Sequence, residues 1–574
     1  MVPAMRIRHR GGDRARPALA AIALVALVAG GGVVAVQSGL LGRPTAGAPP
    51  AFVDATSSSG LDFTYDGGFR QSAGGGLAAF DCDGDGRQDL YLAGGAGPAA
   101  LFHNDSEIGG EIRFSRRSDP VTDLTMVNGA YPIDIDGDGN ADLITLRDGE
   151  NVALRGLGGC RFERANEAWH LDGGAVQTMA FSATWEPGAT WPTLAFGTYV
   201  DPSNSDLDGR CGPNVLLRPM STGGDAPEYG APLALTPSYC ALSMLFSAWG
   251  GTGPASLRVS NDRAFYRQET GQEQLWQVPP GGAPRLYGEA DGWNRLQLEG
   301  MGIASYDLTG DGRPEIYLTS QGANRLQSLE TPAPQPDHVA PRYVDIGLDR
   351  GVNVAHPSVG SDTNLPSTSW HPEFADVNDD GLIDLFVSKG NVTEQPDFAM
   401  QDPSVLLLGQ PDGTFVDVAQ QAGIVVMDRG RGAAIVDLNL DGRLDLVESF
   451  YGAPTRVWQN SAAAGSEGAA VSQGTAAHWL AIQLVDGSTV NLDAIGAVVD
   501  VRTGDRVQSR EVVVGGGHAS GELGWLHVGL GGSTSADVRV RWPDGSVSDW
   551  QPVPVDRVSI VNRDSGVAAW TPPR

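Results

Sequence analysis

One nine-residue pattern, D-x-D/N-x-D-G-x-x-D, recurs along this chain and sets oxygen donors at alternate positions of a tight turn. The first copy carries Asp81, Asp83, Asp85 and Asp89; the second carries Asp134, Asp136, Asp138 and Asp142. A third runs through Asp307, Thr309, Asp311 and Glu315, a fourth through Asp376, Asn378, Asp380 and Asp384, and a fifth through Asp437, Asn439, Asp441 and Asp445. Glycine at the sixth position lets the backbone turn, so the side chains at positions one, three, five and nine can converge. The carbonyl at position seven, from Arg87, Asn140, Arg313, Leu382 or Arg443, can join them. Calcium takes six to eight hard oxygen ligands at roughly 2.3–2.6 Å, whereas magnesium keeps more of its waters. The pattern therefore predicts about five bound calcium ions. An EF-hand needs a bidentate Glu at position twelve; here that position holds Leu92, Thr145, Leu318, Val387 or Glu448, and the flanks read as strands. A single copy could be a polar hairpin turn. Five copies in register inside a longer repeat argue for a metal.

The longer repeat must position these loops. Each acidic copy follows small apolar residues and precedes a short β-type run. Two further stretches, Trp185 to Thr193 and Ala248 to Ser256 (with Thr252 among them), keep the register while lacking the loop carboxylates, and should bind no ion. Repeat starts at 81, 134, 185, 248, 307, 376 and 437 are spaced by 51 to 69 residues, which suits a four-stranded blade. The expectation is an all-β chain: a seven-bladed β-propeller over residues 51–460, then a linker, 461–477, and a small β-sandwich, 478–561, with a tail, 562–574. Aromatic-led strands at Phe52, Phe114, Phe162, Tyr343 and Phe415, with fainter ones near Tyr229 and Trp276, precede the loops and support the count of seven. Phe52 precedes every repeat, so it should complete the last blade and close the ring, which removes exposed sheet edges. The stretches Tyr199–Asn214 and Leu326–Pro341 read as long loops.

Residues 1–37 join an Arg-rich start to the uncharged run Ala18–Val36 and are read as a signal peptide or a signal anchor, followed by a linker over 38–50. Both readings place the remainder outside the cytoplasm, either secreted or anchored to the outer face of the membrane. Disulfides persist there, and sequence proximity favours Cys82–Cys160 and Cys211–Cys240. Lys and Arg number 39 against 69 Asp and Glu, a formal charge of −30. That balance excludes nucleic acid as a partner, because phosphate binding rests on cationic neutralisation, and it leaves membrane contact only to a possible N-terminal anchor.

The acidic units resemble FG-GAP/VCBS repeats, the calcium-loop blades also found in integrin α-subunit propellers. The C-terminal part is similar to the ASPIC/UnbV domain, through Trp479 to Leu484, Asn491 to Ala497, Leu526 to Gly531 and Val540 to Gly545. Together they resemble the cartilage acidic protein family, which implies a calcium-binding extracellular propeller. No H-E-x-x-H, G-x-S-x-G or G-x-x-x-x-G-K-[ST] motif is present. The favoured reading is a non-catalytic module that binds a protein or glycan at the cell surface. The alternative is an extracellular enzyme, acting for example on polysaccharide, that uses the central pocket; Ser369 to Phe374, with Trp370, is the best candidate for it. His518, His527, Trp525 and Trp542 are the conspicuous candidates on the C-terminal surface, with core packing the favoured job for the two tryptophans.

Overall fold

The computed structural model describes residues 46–201, 211–220, 224, 226–250, 254–262, 271–330, 340–392, 395–461 and 477–572. The signal or anchor reading, Thr252 and nearly all of the 461–477 linker lie outside them. Among the described residues no helix is long and apolar enough to cross a membrane.

Residues 51–461 form seven sheets, each with four antiparallel strands in up-and-down order, and two of them gain a fifth strand, Gly95–Pro98 in one and Gly521–Leu523 in the other. The innermost strands are Leu77–Phe80, Thr125–Ile133, Gln177–Thr184, Ala241–Ser247, Gly300–Tyr306, Ser369–Ala375 and Gly430–Val436. Each lies against the next, and the seventh lies against the first, so the sheets follow one another around a closed ring. Both faces of each inner strand are covered, which explains strands buried throughout such as Ala241–Ser247 rather than strict alternation. The closing strand is the one anticipated: Ala51–Asp54 pairs with Ala453–Ser461, with Phe52 opposite Asn460.

Phe114, Phe162, Tyr343 and Phe415 each open an outer strand. The two fainter aromatic signals do not. Trp276 belongs to a third strand, Gln274–Gln277, and Tyr229 lies ahead of the outer strand Leu233–Leu235. Both side chains are buried instead, Tyr229 donating its hydroxyl to the Pro192 carbonyl at 3.1 Å. Leu326, expected to open a loop, sits inside the strand Arg325–Leu329. Disulfides join Cys82 to Cys160 and Cys211 to Cys240, and the first ties one sheet to its neighbour.

The C-terminal part is a sandwich of two four-stranded sheets, one centred on His478–Val485 and Arg557–Asn562, the other on Val498–Thr503 and Ala536–Arg541. It runs past the expected boundary at 561, because Gly566–Ala569 pairs with Arg557–Asn562. Nor is it a separate lobe. Residues 42–574 make one compact unit, and the reason is a segment that the turn-like Gly515-Gly516-Gly517 conceals in sequence.

Residues 512–525 leave the sandwich and enter the ring. Val514 bridges to Ala183, Gly515 to Leu245, Gly517 to Ile303 and Ser520 to Ala130, and Gly521–Leu523 runs parallel to the innermost strand Leu77–Phe80. This plug thus touches the inner strands of successive sheets. Small residues make room for it: a β-carbon at Gly76 or Gly129 would collide with the Ala519 carbonyl. His518 is fully buried rather than exposed, its Nε2 2.6 Å from the Ala73 carbonyl and its ring 4.8 Å from that of Trp370. Its backbone N–H donates to His371 Nδ1 at 3.1 Å, so neutral His371 carries its proton on Nε2, 3.5 Å from Glu373 Oε2. Burial pushes His371 down to about 4 and Glu373 up to about 8. The Ser369–Phe374 segment therefore walls the plug, and His371, Pro372, Glu373 and Phe374 also line the space left beside it. A cavity of about 190 Å³ remains between the plug, the sandwich and the ring.

Candidate metal centres

Each acidic loop joins the first and second strands of its sheet, and the same few bonds shape all five. The position-one carboxylate accepts the N–H of the position-six glycine: Asp81 from Gly86 at 2.7 Å, Asp134 from Gly139 at 2.9 Å, and Asp307, Asp376 and Asp437 from Gly312, Gly381 and Gly442 at 2.8 Å. The sixth-position glycines have φ between +80° and +88°, a region costly for a residue with a β-carbon. The position-five carboxylate accepts the N–H of position seven, as in Asp85 from Arg87 at 2.9 Å. Positions one and five are thereby fixed on one side of the turn.

Position nine plays a part that the spacing did not reveal. Its two oxygens accept from two segments, so the acid staples the loop to the third strand. Asp89 takes the N–H groups of Cys82 and Asn104, Asp142 those of Ile135 and Gly156, Asp384 those of Val377 and Gly409, and Asp445 those of Leu438 and Asn460. Glu315, one methylene longer, takes the Leu308 N–H and the Ser328 hydroxyl.

The expected side chains are brought together most closely in the first two loops. Ligand oxygens of Asp81, Asp83 and Asp85 lie within 4.8 Å of one another, as do those of Asp134, Asp136 and Asp142. Asp138 is drawn to Arg155 at 2.8 Å, and Arg155 also bonds Asp136. In the other three loops position three is Thr309, Asn378 or Asn439, so a hydroxyl or amide oxygen replaces a carboxylate. Asn439 is fully buried; its Nδ2 donates to the Gly110 carbonyl at 2.7 Å, while its Oδ1 has no hydrogen-bond partner among the described residues. A buried amide oxygen left without a donor is costly, and at a ligand position it fits a cation. The arginines at position seven also act through their side chains: Arg87, Arg313 and Arg443 pair with Asp85, Asp311 and Asp441.

Electrostatics point the same way. Burial pushes Asp89, Asp134 and Asp437 up to about 7, and lifts Asp142, Asp376, Asp384 and Asp445 well above the carboxylate range despite the N–H donors around them. These are buried acids with too little positive charge beside them. The donor set is all oxygen, which suits a hard cation such as calcium. Sequence reasoning missed His103, whose Nε2 lies 3.0 Å from Asp83 Oδ2 and which no motif marks.

Two stretches of the ring, 81–145 and 376–448, match the model of the FG-GAP-like repeat, and residues 487–567 match that of ASPIC and UnbV. The chain carries FG-GAP-like repeats and an ASPIC and UnbV domain. It is similar to cartilage acidic protein 1 of Xenopus tropicalis, at 24% identity over 46% of this chain and 41% of that protein. It is also similar to the Mus musculus protein of that name, at 28% identity over 29% of this chain and 23% of that one. The chain thus spans less than half the length of these relatives. Among solved structures it is similar to the BP39L lectin from Burkholderia pseudomallei, at 11% identity over 68% of this chain and 97% of that chain, with a TM-score of 0.40. It is likewise similar to an Agrocybe aegerita lectin, at 18% identity over 69% and 84%, with a TM-score of 0.29.

Proposed function

We propose that this protein is an exported, calcium-binding propeller that works outside the cytoplasm as a non-catalytic binding scaffold. The observation that carries the reading is the fivefold recurrence of one loop geometry, with buried carboxylates lacking counter-charge and a buried Asn439 oxygen lacking a donor. Asp81, Asp83, Asp85 and their equivalents would hold the ions, with the position-seven carbonyls beside them. The two disulfides suit an oxidising compartment, and the similarity to cartilage acidic protein 1 supports an extracellular setting. The plug passes along the inner strands of the ring, and this reading assigns a protein or glycan ligand to the outer loops. Direct measurement of bound metal in the purified chain tests the cation. A glycan array and a protein pull-down, each with calcium and with EDTA, test the binding role; specific capture only in calcium is the expected outcome, and no capture in either state would remove the scaffold reading.

A further inference from the structure

The acidic loops do not face solvent alone; all five lie under the C-terminal sandwich. At the first, Trp525 donates its indole N–H to the Gly86 carbonyl at 2.8 Å, and a β-carbon on Gly86 would strike the Trp570 ring. Val490 sits as tightly against Gly137 of the second loop, and Trp479 against Gly442 of the last. The backbone carbonyl of Val507 comes near Gly310 of the loop at 307–315. At the loop of 376–384, Gly531 donates its N–H to the Asp379 carbonyl at 2.9 Å and His527 Nε2 lies 2.6 Å from Asp379 Oδ1.

The two stripped hairpins are met differently. Glu511 of the sandwich takes the Ser247 hydroxyl at 2.6 Å and the Ala248 N–H at 3.0 Å, so the sandwich supplies the carboxylate where the hairpin has none. Trp185 packs into an apolar cluster with Ile495 and Val514. Where the hairpin does carry acids, by contrast, the sandwich offers indoles, aliphatic groups, glycine and His527. Arg506 beside Gly381 is one exception, and Asp493, a carboxylate whose charge acts on Asp134, is another that adds to the negative charge. Covering so many carboxylates with uncharged surface costs heavily unless positive charge comes from elsewhere.

We propose that the five loops are the seat of the sandwich, so that cation binding in them and insertion of the 512–525 plug into the ring form one coupled equilibrium. The proposal rests on the calcium reading above and extends it: the ions hold a domain as well as five hairpins. Coupling is reciprocal by thermodynamic necessity. Ions should seat the plug, and loosening the sandwich should weaken the ions.

The test is hydrogen exchange of the full chain followed by mass spectrometry, with bound calcium counted on the same samples. Adding calcium to EDTA-treated protein should slow exchange of amides in 512–525 by about tenfold or more, at concentrations where the loops fill. Trp525→Phe removes the bond to Gly86 without touching a ligand and should weaken calcium binding by about tenfold at the first loop. Should that variant misfold, Trp570→Phe, at the packed ring edge, provides the second measurement. Calcium that binds while plug exchange and both variants' affinities stay unchanged would overturn the coupling and leave the calcium reading standing. Absence of any bound calcium would overturn both.

Discussion

Both oxygens of Asp445 are already bonded to the protein, Oδ2 to the Leu438 N–H at 3.0 Å and Oδ1 to the Asn460 N–H at 2.8 Å, in a fully buried position. A carboxylate can meet two N–H donors; an amide offers one acceptor and must point its own N–H₂ at the second. Asp445→Asn should therefore destabilise the chain by about 2–3 kcal/mol, the cost of an opposed buried pair, read as a lower urea midpoint with or without calcium. Asp138 differs. Its oxygens bond only Arg155 and residue 140 on a half-exposed turn, so Asp138→Ala should leave the fold intact and lower the calcium count by one in native mass spectrometry. An unchanged count would remove position five of that loop from the ligand set. The spacing of acids in the sequence predicts ligands at both positions alike; the second-segment donors that separate a staple from a ligand come from residues 13 to 25 positions away and leave no local mark.

At the scale of elements, the strands and hairpins were legible because five of the seven repeats carry acids at fixed spacing with an apolar run after them, and the two stripped repeats keep the register. Closure by Phe52 followed from counting. The plug was not legible. Residues 512–525 pair with strands more than 200 positions away, from Ala78 to Ile303, and Gly515 to Gly517 read locally as a turn because their partners are unknown to the local sequence. The glycines that receive the plug carried no signal either, since Gly76 and Gly129 look like ordinary strand residues. They yield a prediction. Gly129→Ala places a methyl against the Ala519 carbonyl and should destabilise by about 1–3 kcal/mol through overpacking, seen as a lower thermal midpoint. Gly487→Ala, with nothing within 4 Å of the added carbon, should leave that midpoint unchanged. Equal effects at the two sites would mean the plug does not press on the inner strands.

For the whole molecule, the charge of −30 becomes a statement about pH. In metal-free protein, burial pushes the position-one acids Asp134 and Asp437 up to about 7, against about 3.9 for an unfolded Asp. Between those values the folded state holds more protons than the unfolded one. The number bound in the unfolded state minus that in the native state is then negative, so stability falls as pH rises from about 4 to 7. Calcium inverts the requirement, because it binds the ionised carboxylate and competes with those same protons. Each site filled at a hundredfold excess over its dissociation constant adds about 2.7 kcal/mol, and that increment should grow across the same pH window. Thermal melts in EDTA should therefore decline from pH 5 to pH 7.5, while the gain on adding calcium should widen. A flat melting profile in EDTA, or a calcium gain that shrinks with pH, would show that the acidic loops hold their charge by some means other than protons and bound cations.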